Sequence, residues 1–277
     1  MESNAKAEPA QSDKMKIYVR GGVGDILQSW WYIHNNKDDE YIVHSHYKNV
    51  KEIFDYLGAK NVSYYNFSDM ESHNDGVDAI LKDFGQEIQQ QTKDIPRAFY
   101  SSFAFSFQDE ELSLSAFESF EKDQYTVGIH PFRSDFAQSV YKDHNLPCSI
   151  LPLEVAKSVI EEDKNYLIFG RSQELSDYGL EEPSNVKFVS FPSILTSLNT
   201  IKYCKKFIGL DSCFKSMSSM QRIPTLCVIG DFPDNTRDVM FIDQYVKDSV
   251  MTVIKTKNTT EDQEYITTSI KRFINDE

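Results

Sequence analysis

The chain has 277 residues, 40% hydrophobic and 13% aromatic, and a formal net charge of −14. That is enough apolar material for one large domain or two moderate ones, and it excludes disorder over all but the ends. The acidic balance argues against general nucleic-acid binding, which needs a basic footprint; a small phosphate ligand stays open where a site is locally basic or built from backbone N–H groups.

Met1 to Lys14 is small, polar and aperiodic, and reads as a tail without the apolar core of a signal peptide. No later segment approaches the length of a membrane span. Structure is expected from Met15. Ile17 to Val19 has the length and β-branching of a buried strand, and Gly21, Gly22 and Gly24 permit a tight turn with close backbone approach. Asp25 then stands at the opening of a helix expected over residues 25–34, carrying Ile26, Leu27, Trp30, Trp31 and Ile33. The glycine spacing is neither the dinucleotide fingerprint nor a Walker loop. A carboxylate in that place serves either as a helix cap or as an acid at a ligand's edge.

Strands are expected next at 41–44, 62–65 and 77–81, with a helix over 48–57 ended by Gly58. Asp75 and Asp78 are assigned to a turn and a strand edge. The aromatic run from Phe99 to Phe107 reads as an irregular segment leading to an interdomain connection, packing into a core in preference to stacking on sugar rings. The second half is more regular: strands at 125–130, 165–169, 186–190, 206–210 and 225–229, helices over 152–162, 192–203 and after Asp211, and an amphipathic helix over 261–274. Strands alternating with helices predict α/β architecture with mostly parallel sheets. The chain divides accordingly into a tail (1–14), an N-terminal α/β domain (15–122), a C-terminal α/β domain (123–258) and a terminal helix (259–277) free to pack back on the N-terminal domain. Two such domains leave a cleft at the carboxyl ends of their strands, where ligands bind in this architecture.

Four stretches carry candidate chemistry. The first is the glycine turn with Asp25. The second runs from Phe207 through the Asp211-Ser212 turn to Gly230; the first turns of its helix, with Ser212, Lys215 and Ser216, offer free N–H groups as a phosphate cradle. The third is the strand end at His130 with a loop holding Arg133 and Lys142, and the fourth is Gly170 with Glu174 beyond it. His44, His46 and His130 are read as structural histidines at strand ends. Cys148, Cys204, Cys213 and Cys227 have no C-x-x-C spacing, which points to reduced thiols in a cytoplasmic protein.

In order and approximate spacing these stretches resemble the bacterial ADP-heptose–lipopolysaccharide heptosyltransferases and their relatives. Val19-Arg-Gly-Gly-Val-Gly-Asp-Ile-Leu27 is similar to the family's opening strand-Gly-Gly-x-Gly-Asp-helix. Ile129-His-Pro-Phe, followed by Tyr141 and Lys142, looks like its hPG…K.W loop, and Gly170 to Glu174 like its strand-end glycine with a downstream Glu. Asp211 to Gly230 corresponds to its DSGxxHxAxxxxxPxxxxxG segment, with Cys213 at the family glycine and Ser216 at the family histidine, which faces the donor sugar.

The resemblance implies the GT-B fold, two Rossmann-like domains facing across a cleft, the first on the acceptor side and the second binding a nucleotide sugar. It implies transfer of a sugar from a nucleoside-diphosphate donor to a hydroxyl acceptor, a glycan or similar. Asp25 would be the general base and Lys142 would neutralise the leaving diphosphate. Glu174, Asp211, Ser212, Cys213, Phe214, Lys215 and Ser216 would bind the donor: Glu174 the ribose hydroxyls, Asp211 the sugar hydroxyls and the N–H groups of Ser212 to Lys215 the phosphates. Gly21, Gly22 and Gly24 would let acceptor or phosphates come close. The sequence has no D-x-D pair or metal-spaced His and Asp where one would be needed, so no metal and no cofactor are expected. A GT-B-like protein that binds nucleotide or glycan without catalysis is the alternative, favoured by Cys213 and Ser216. Another nucleotide-using α/β enzyme, such as a sugar-nucleotide epimerase or an atypical dehydrogenase, is a third reading; the glycine spacing stands against the dehydrogenase.

Overall fold

The computed structural model describes residues 16–20, 23–24, 36–45, 50–66, 126–133, 150–190, 194–230, 250–256 and 261–276. The chain separates into two compact units, Met1–Gly21 with Tyr32–Ile95 and Gly22–Trp31 with Pro96–Glu277. Gly22–Trp31 is grouped with the second unit. Within it, a Cβ placed on Gly24 would lie 3.5 Å from the Cα of Cys213.

In the first unit, β1 (Lys16–Arg20), β2 (Glu40–Ser45) and β3 (Val62–Asn66) form a three-stranded sheet in the order β1-β2-β3. Each pairing is parallel, Ile17 facing Tyr41 and Tyr41 facing Val62. Helix α1 (Val50–Leu57) buries Val50, Ile53 and Phe54, one face at helical spacing. It stops at Gly58, whose φ of 70° is the left-handed conformation that closes a helix and favours glycine. Tyr41 and Phe54 are fully buried with ring centroids 5.8 Å apart. The expected strand at 77–81 and the acids Asp75 and Asp78 lie outside the described residues, as does the Phe99–Phe107 run.

The second unit holds six parallel strands in the order β6-β5-β4-β7-β8-β9. They are β4 (Thr126–His130), β5 (Asn165–Phe169), β6 (Val186–Val189), β7 (Lys206–Leu210), β8 (Thr225–Gly230) and β9 (Met251–Thr256). β5, β7 and β8 are near-continuous apolar runs, as strands covered on both faces must be. Among the described residues the one antiparallel contact is the isolated bridge between Phe132 and Ile150. The chain winds outward from β4 through β5 to β6, then returns to the middle and winds the other way through β7, β8 and β9. The reversal falls between β4 and β7.

The helices are α2 (Leu153–Val159), α3 (Ser172–Tyr178), α4 (Ile194–Thr200), α5 (Cys213–Met220) and α6 (Gln263–Asn275). Helix α2 is shorter than expected because the Tyr166 hydroxyl bonds the Val159 carbonyl at 2.9 Å and receives the Glu161 amide at 3.0 Å, drawing the chain out of the helix. The helix expected to reach residue 203 ends its α-turns at Thr200 and closes with a 3-10 turn over Ile201–Tyr203. α3 and β9 were not expected: α3 buries one side chain, Leu175, and β9 is a short alternating run at the sheet's edge.

The terminal helix packs into this unit's core. Ile266, Ile270 and Ile274 lie one turn apart and are buried with Val155 and Val159 of α2, each burial contributing about 1.5–3 kcal/mol. At the helix's end, Lys206 Nζ donates to the carbonyls of Phe273 at 2.7 Å and Ile274 at 3.3 Å and also reaches that of Asp276. A cation on the last carbonyls is stabilised by the helix dipole. Among the described residues, no helix is long and apolar enough to cross a membrane.

Candidate functional site

The carboxyl ends of β4 and β7 sit side by side, His130 in register with Gly209. In open parallel α/β sheets this reversal is where ligands bind, because the two flanking loops diverge and leave a crevice. Close packing fixes the two strands. A Cβ on Gly128 would come within 2.7 Å of Cys204 Sγ and of a Phe207 ring carbon, so no larger residue fits there without a shift.

Two loops supply the charged groups. After β7, the Asp211 carboxylate receives Arg133 Nη2 at 3.0 Å on Oδ2 and Lys215 Nζ at 2.6 Å on Oδ1. Arg133 comes from the segment after β4, and Lys215 lies four residues on, one helical turn into α5. The two cations are 6% and 5% exposed at the side chain while Asp211 is 26% exposed, so the carboxylate lies outermost. Burial works to raise the Asp211 pKa, but Lys215 and Arg133 outweigh it and hold the carboxyl at about 2. Burial likewise opposes the charge on Lys215, and Asp211 more than offsets it, leaving the ammonium pKa raised.

Ser212 is the N-cap residue of α5, yet its side chain makes no cap hydrogen bond. Instead its Oγ lies 3.0 Å from His130 Nδ1. The first-turn amides thus lack the side-chain acceptor that an N-cap serine ordinarily supplies. His130 stacks on Phe214, ring centroids 4.2 Å apart at 24°, and meets Phe132 edge-on at 5.9 Å. Burial, then the nearby Arg171 guanidinium, push its pKa down to about 3, so the ring is neutral near pH 7. A histidine that weakly basic is poorly matched to general-base work on the serine hydroxyl. Burial also pushes the Cys213 thiol up to about 12, although the amides of Phe214 and Cys213 favour its thiolate.

The residues expected to bind a donor divide in two. Asp211, Ser212 and Cys213 are partly exposed at the strand-to-helix turn. Phe214, Lys215 and Ser216 are buried, with relative exposures of 7%, 4% and 2%. Once α5 starts, its next side chains turn inward against the sheet, and Phe214 packs on Phe169 at 5.4 Å, so what Phe214, Lys215 and Ser216 offer at the turn is backbone.

Glu174 sits at the third position of α3. It takes the Arg171 amide on Oε2 at 2.9 Å and the Arg171 guanidinium on Oε1 at 2.7 Å. Asp25, Lys142, Gly21 and Gly22 lie outside the described residues; Gly24 is described, with the chain already helical at Val23 and Gly24. His130 was read as structural, and its buried, hydrogen-bonded place fits that; Arg133 was seen in sequence only as a loop cation. No sequence signal pairs Arg133 with Asp211, because 78 residues separate them. Among the described residues, no group of three or more His, Cys, Asp and Glu could hold a metal ion.

Solved structures give the fold. The chain is similar to E. coli ADP-heptose LPS heptosyltransferase II, at 11% identity and a TM-score of 0.54 over 94% of this chain and 98% of that one. It is also similar to E. coli heptosyltransferase WaaC with ADP, at 10% identity and a TM-score of 0.51 over 94% of this chain and 99% of that one. The fold is heptosyltransferase-like. No protein-family model and no curated protein sequence matches the chain. At this identity the likeness concerns the path of the backbone alone.

Proposed function

We propose that the chain is a glycosyltransferase that moves a sugar from a nucleoside-diphosphate donor to a hydroxyl acceptor, a glycan or similar, with inversion and without a metal. The observation that carries this reading is the Asp211-Ser212-Cys213 turn at the reversal of the six-stranded sheet, with helix amides that Ser212 does not cap. The heptosyltransferase-like fold supports it. In this reading the two units are the Rossmann-like domains of a GT-B enzyme in the cytoplasm, and the second holds the donor.

The diphosphate would lie against the first amides of α5, where the helix N-terminus favours negative charge. Asp211 would accept sugar hydroxyls, and Glu174 would accept ribose hydroxyls on the lone pairs that Arg171 leaves. Asp25 would take the acceptor's proton as the new C–O bond forms and the diphosphate departs with the electrons of the old one. Lys142 would neutralise the charge that develops there. Calorimetry with ADP, GDP and UDP, beside a transfer and hydrolysis assay on their sugar conjugates, tests the reading. Binding with turnover that falls at least about a hundredfold in Asp25→Asn and Lys142→Ala supports it; unchanged turnover in both overturns the assigned roles.

A second reading, a GT-B-like protein that binds nucleotide or glycan without catalysis, is favoured by one feature. Cys213 sets a thiol beside the amides of Cys213 and Phe214, in the space a glycine would leave open. Nucleotide binding without transfer or hydrolysis would select it.

A further inference from the structure

Asp211 is held differently from an ordinary site carboxylate. Each of its oxygens already carries one cation, Arg133 on Oδ2 and Lys215 on Oδ1. Those cations are buried beneath it, and the carboxylate is the member of the trio that meets solvent. An ionised carboxylate has about four lone-pair positions, so acceptor capacity remains on its outer side. A ligand arriving at the turn therefore meets fixed hydrogen-bond acceptors and not bare positive charge.

We propose that Arg133 and Lys215 are positioning residues that lock Asp211 as a permanently charged receptor for sugar hydroxyls, so that this site selects the sugar of a nucleotide sugar over the nucleotide alone. This rests on the nucleotide-sugar reading above. The division of labour has a chemical reason. A carboxylate gripped by two cations is a poor proton acceptor, because protonation would break both ion pairs, but it remains a good acceptor of hydroxyl hydrogen bonds. Arg133 and Lys215 are the charged groups acting on it, from the segment after β4 and from α5. Lys215 would thus act through Asp211 without touching the ligand. Its side chain, buried at 5% exposure with Nζ on the carboxylate, leaves it in that place.

The test compares wild type with Lys215→Met and Lys215→Arg, using ADP with ADP-glucose and UDP with UDP-glucose as probes. Carboxyl-carbon NMR follows the Asp211 titration, and calorimetry measures both affinities of each pair. Wild type is expected to hold Asp211 near 2 and to prefer a sugar conjugate over its nucleoside diphosphate. Lys215→Met is expected to raise the Asp211 pKa and to lose about ten- to a hundredfold more affinity for the conjugate than for the nucleoside diphosphate. Lys215→Arg restores most of that preference. An equal loss for both ligands, or an unmoved Asp211 titration, overturns the positioning role and leaves the glycosyltransferase reading standing. Binding of neither ligand by wild type overturns the glycosyltransferase reading and the receptor with it. If Lys215→Met fails to fold, the conservative variant decides: a preference below one-tenth of wild type despite a low Asp211 pKa also overturns the proposal.

Discussion

Two helices in the second unit begin just past the carboxyl end of a strand, α3 after β5 and α5 after β7, and their openings are built in opposite ways. At α3 the acid three residues into the segment turns back on the chain: Glu174 takes the Arg171 amide and guanidinium, and the helix entry is finished by its own side chains. At α5 the two residues best suited to capping look elsewhere, Ser212 to His130 and Asp211 to Arg133 and Lys215. Local sequence is therefore a poor guide to which strand-to-helix turn is structural. Both openings carry an acid and a serine near a helix start, and the difference lies in the acid's partners: Arg171 beside Glu174 at α3, and at α5 both Lys215 and Arg133, the latter from the segment after β4.

The sharpest way to break the comparison is to remove the acid from each opening. Asp211→Asn leaves Arg133 and Lys215 buried without their shared charge and is expected to cost about 3–4 kcal/mol, the lower part of the usual range for a broken buried pair because the carboxylate is partly exposed. Urea unfolding measures it, and a cost under about 0.5 kcal/mol would mean that the trio contributes nothing to holding the turn.

The next effect separates the turns by pH. His130 has a folded pKa near 3, below its ordinary 6.5, so the folded state binds fewer protons than the unfolded chain between those values. Its contribution is therefore present in full above about pH 6.5 and drains away as pH falls toward 3, with a slope approaching 1.4 kcal/mol per unit. Asp211, with a folded pKa of about 2, adds a second loss that begins only below its ordinary 3.8. Unfolding midpoints measured from pH 7 to pH 4 are expected to decline in wild type and to flatten over that window in His130→Asn.

The smallest effect belongs to α3. Glu174→Gln keeps an acceptor for the Arg171 amide and loses only a mostly solvated ion pair, Arg171 being 60% exposed at the side chain. It is expected to cost about 0.5 kcal/mol or less. Thermal unfolding checks it, and a loss comparable to that of Asp211→Asn would erase the distinction between the two openings.

Much of the fold could be read from the chain because parallel strands buried on both faces leave continuous apolar runs, as at Tyr166 to Phe169 and Phe207 to Leu210. Proline and glycine marked several ends, Pro152 at the start of α2 and Gly58 at the close of α1. The elements that escaped are those with little apolar signal: α3, with one buried side chain, and the edge strand β9. In the site, the Asp211 turn was legible as a strand-Asp-Ser-helix pattern. The inward turn of Phe214, Lys215 and Ser216 was not, since helix phase against a sheet is set by tertiary packing. Arg133 escaped for the same reason: its partner lies across the sheet's reversal.

The contact of Gly24 with the backbone of Cys213 bears on how the protein can be taken apart. The second unit borrows Gly22–Trp31 from upstream of the stretch that makes most of the first, and the first draws β1 from Met1–Gly21, so each unit is built from two separate pieces of chain. A polypeptide started at Pro96 would contain every strand of the six-membered sheet and still lack Gly24, which lies against Cys213 at the start of α5. Dissection by simple truncation would cut through a unit, and excising Tyr32–Ile95 alone would leave β1 behind without its partner β2.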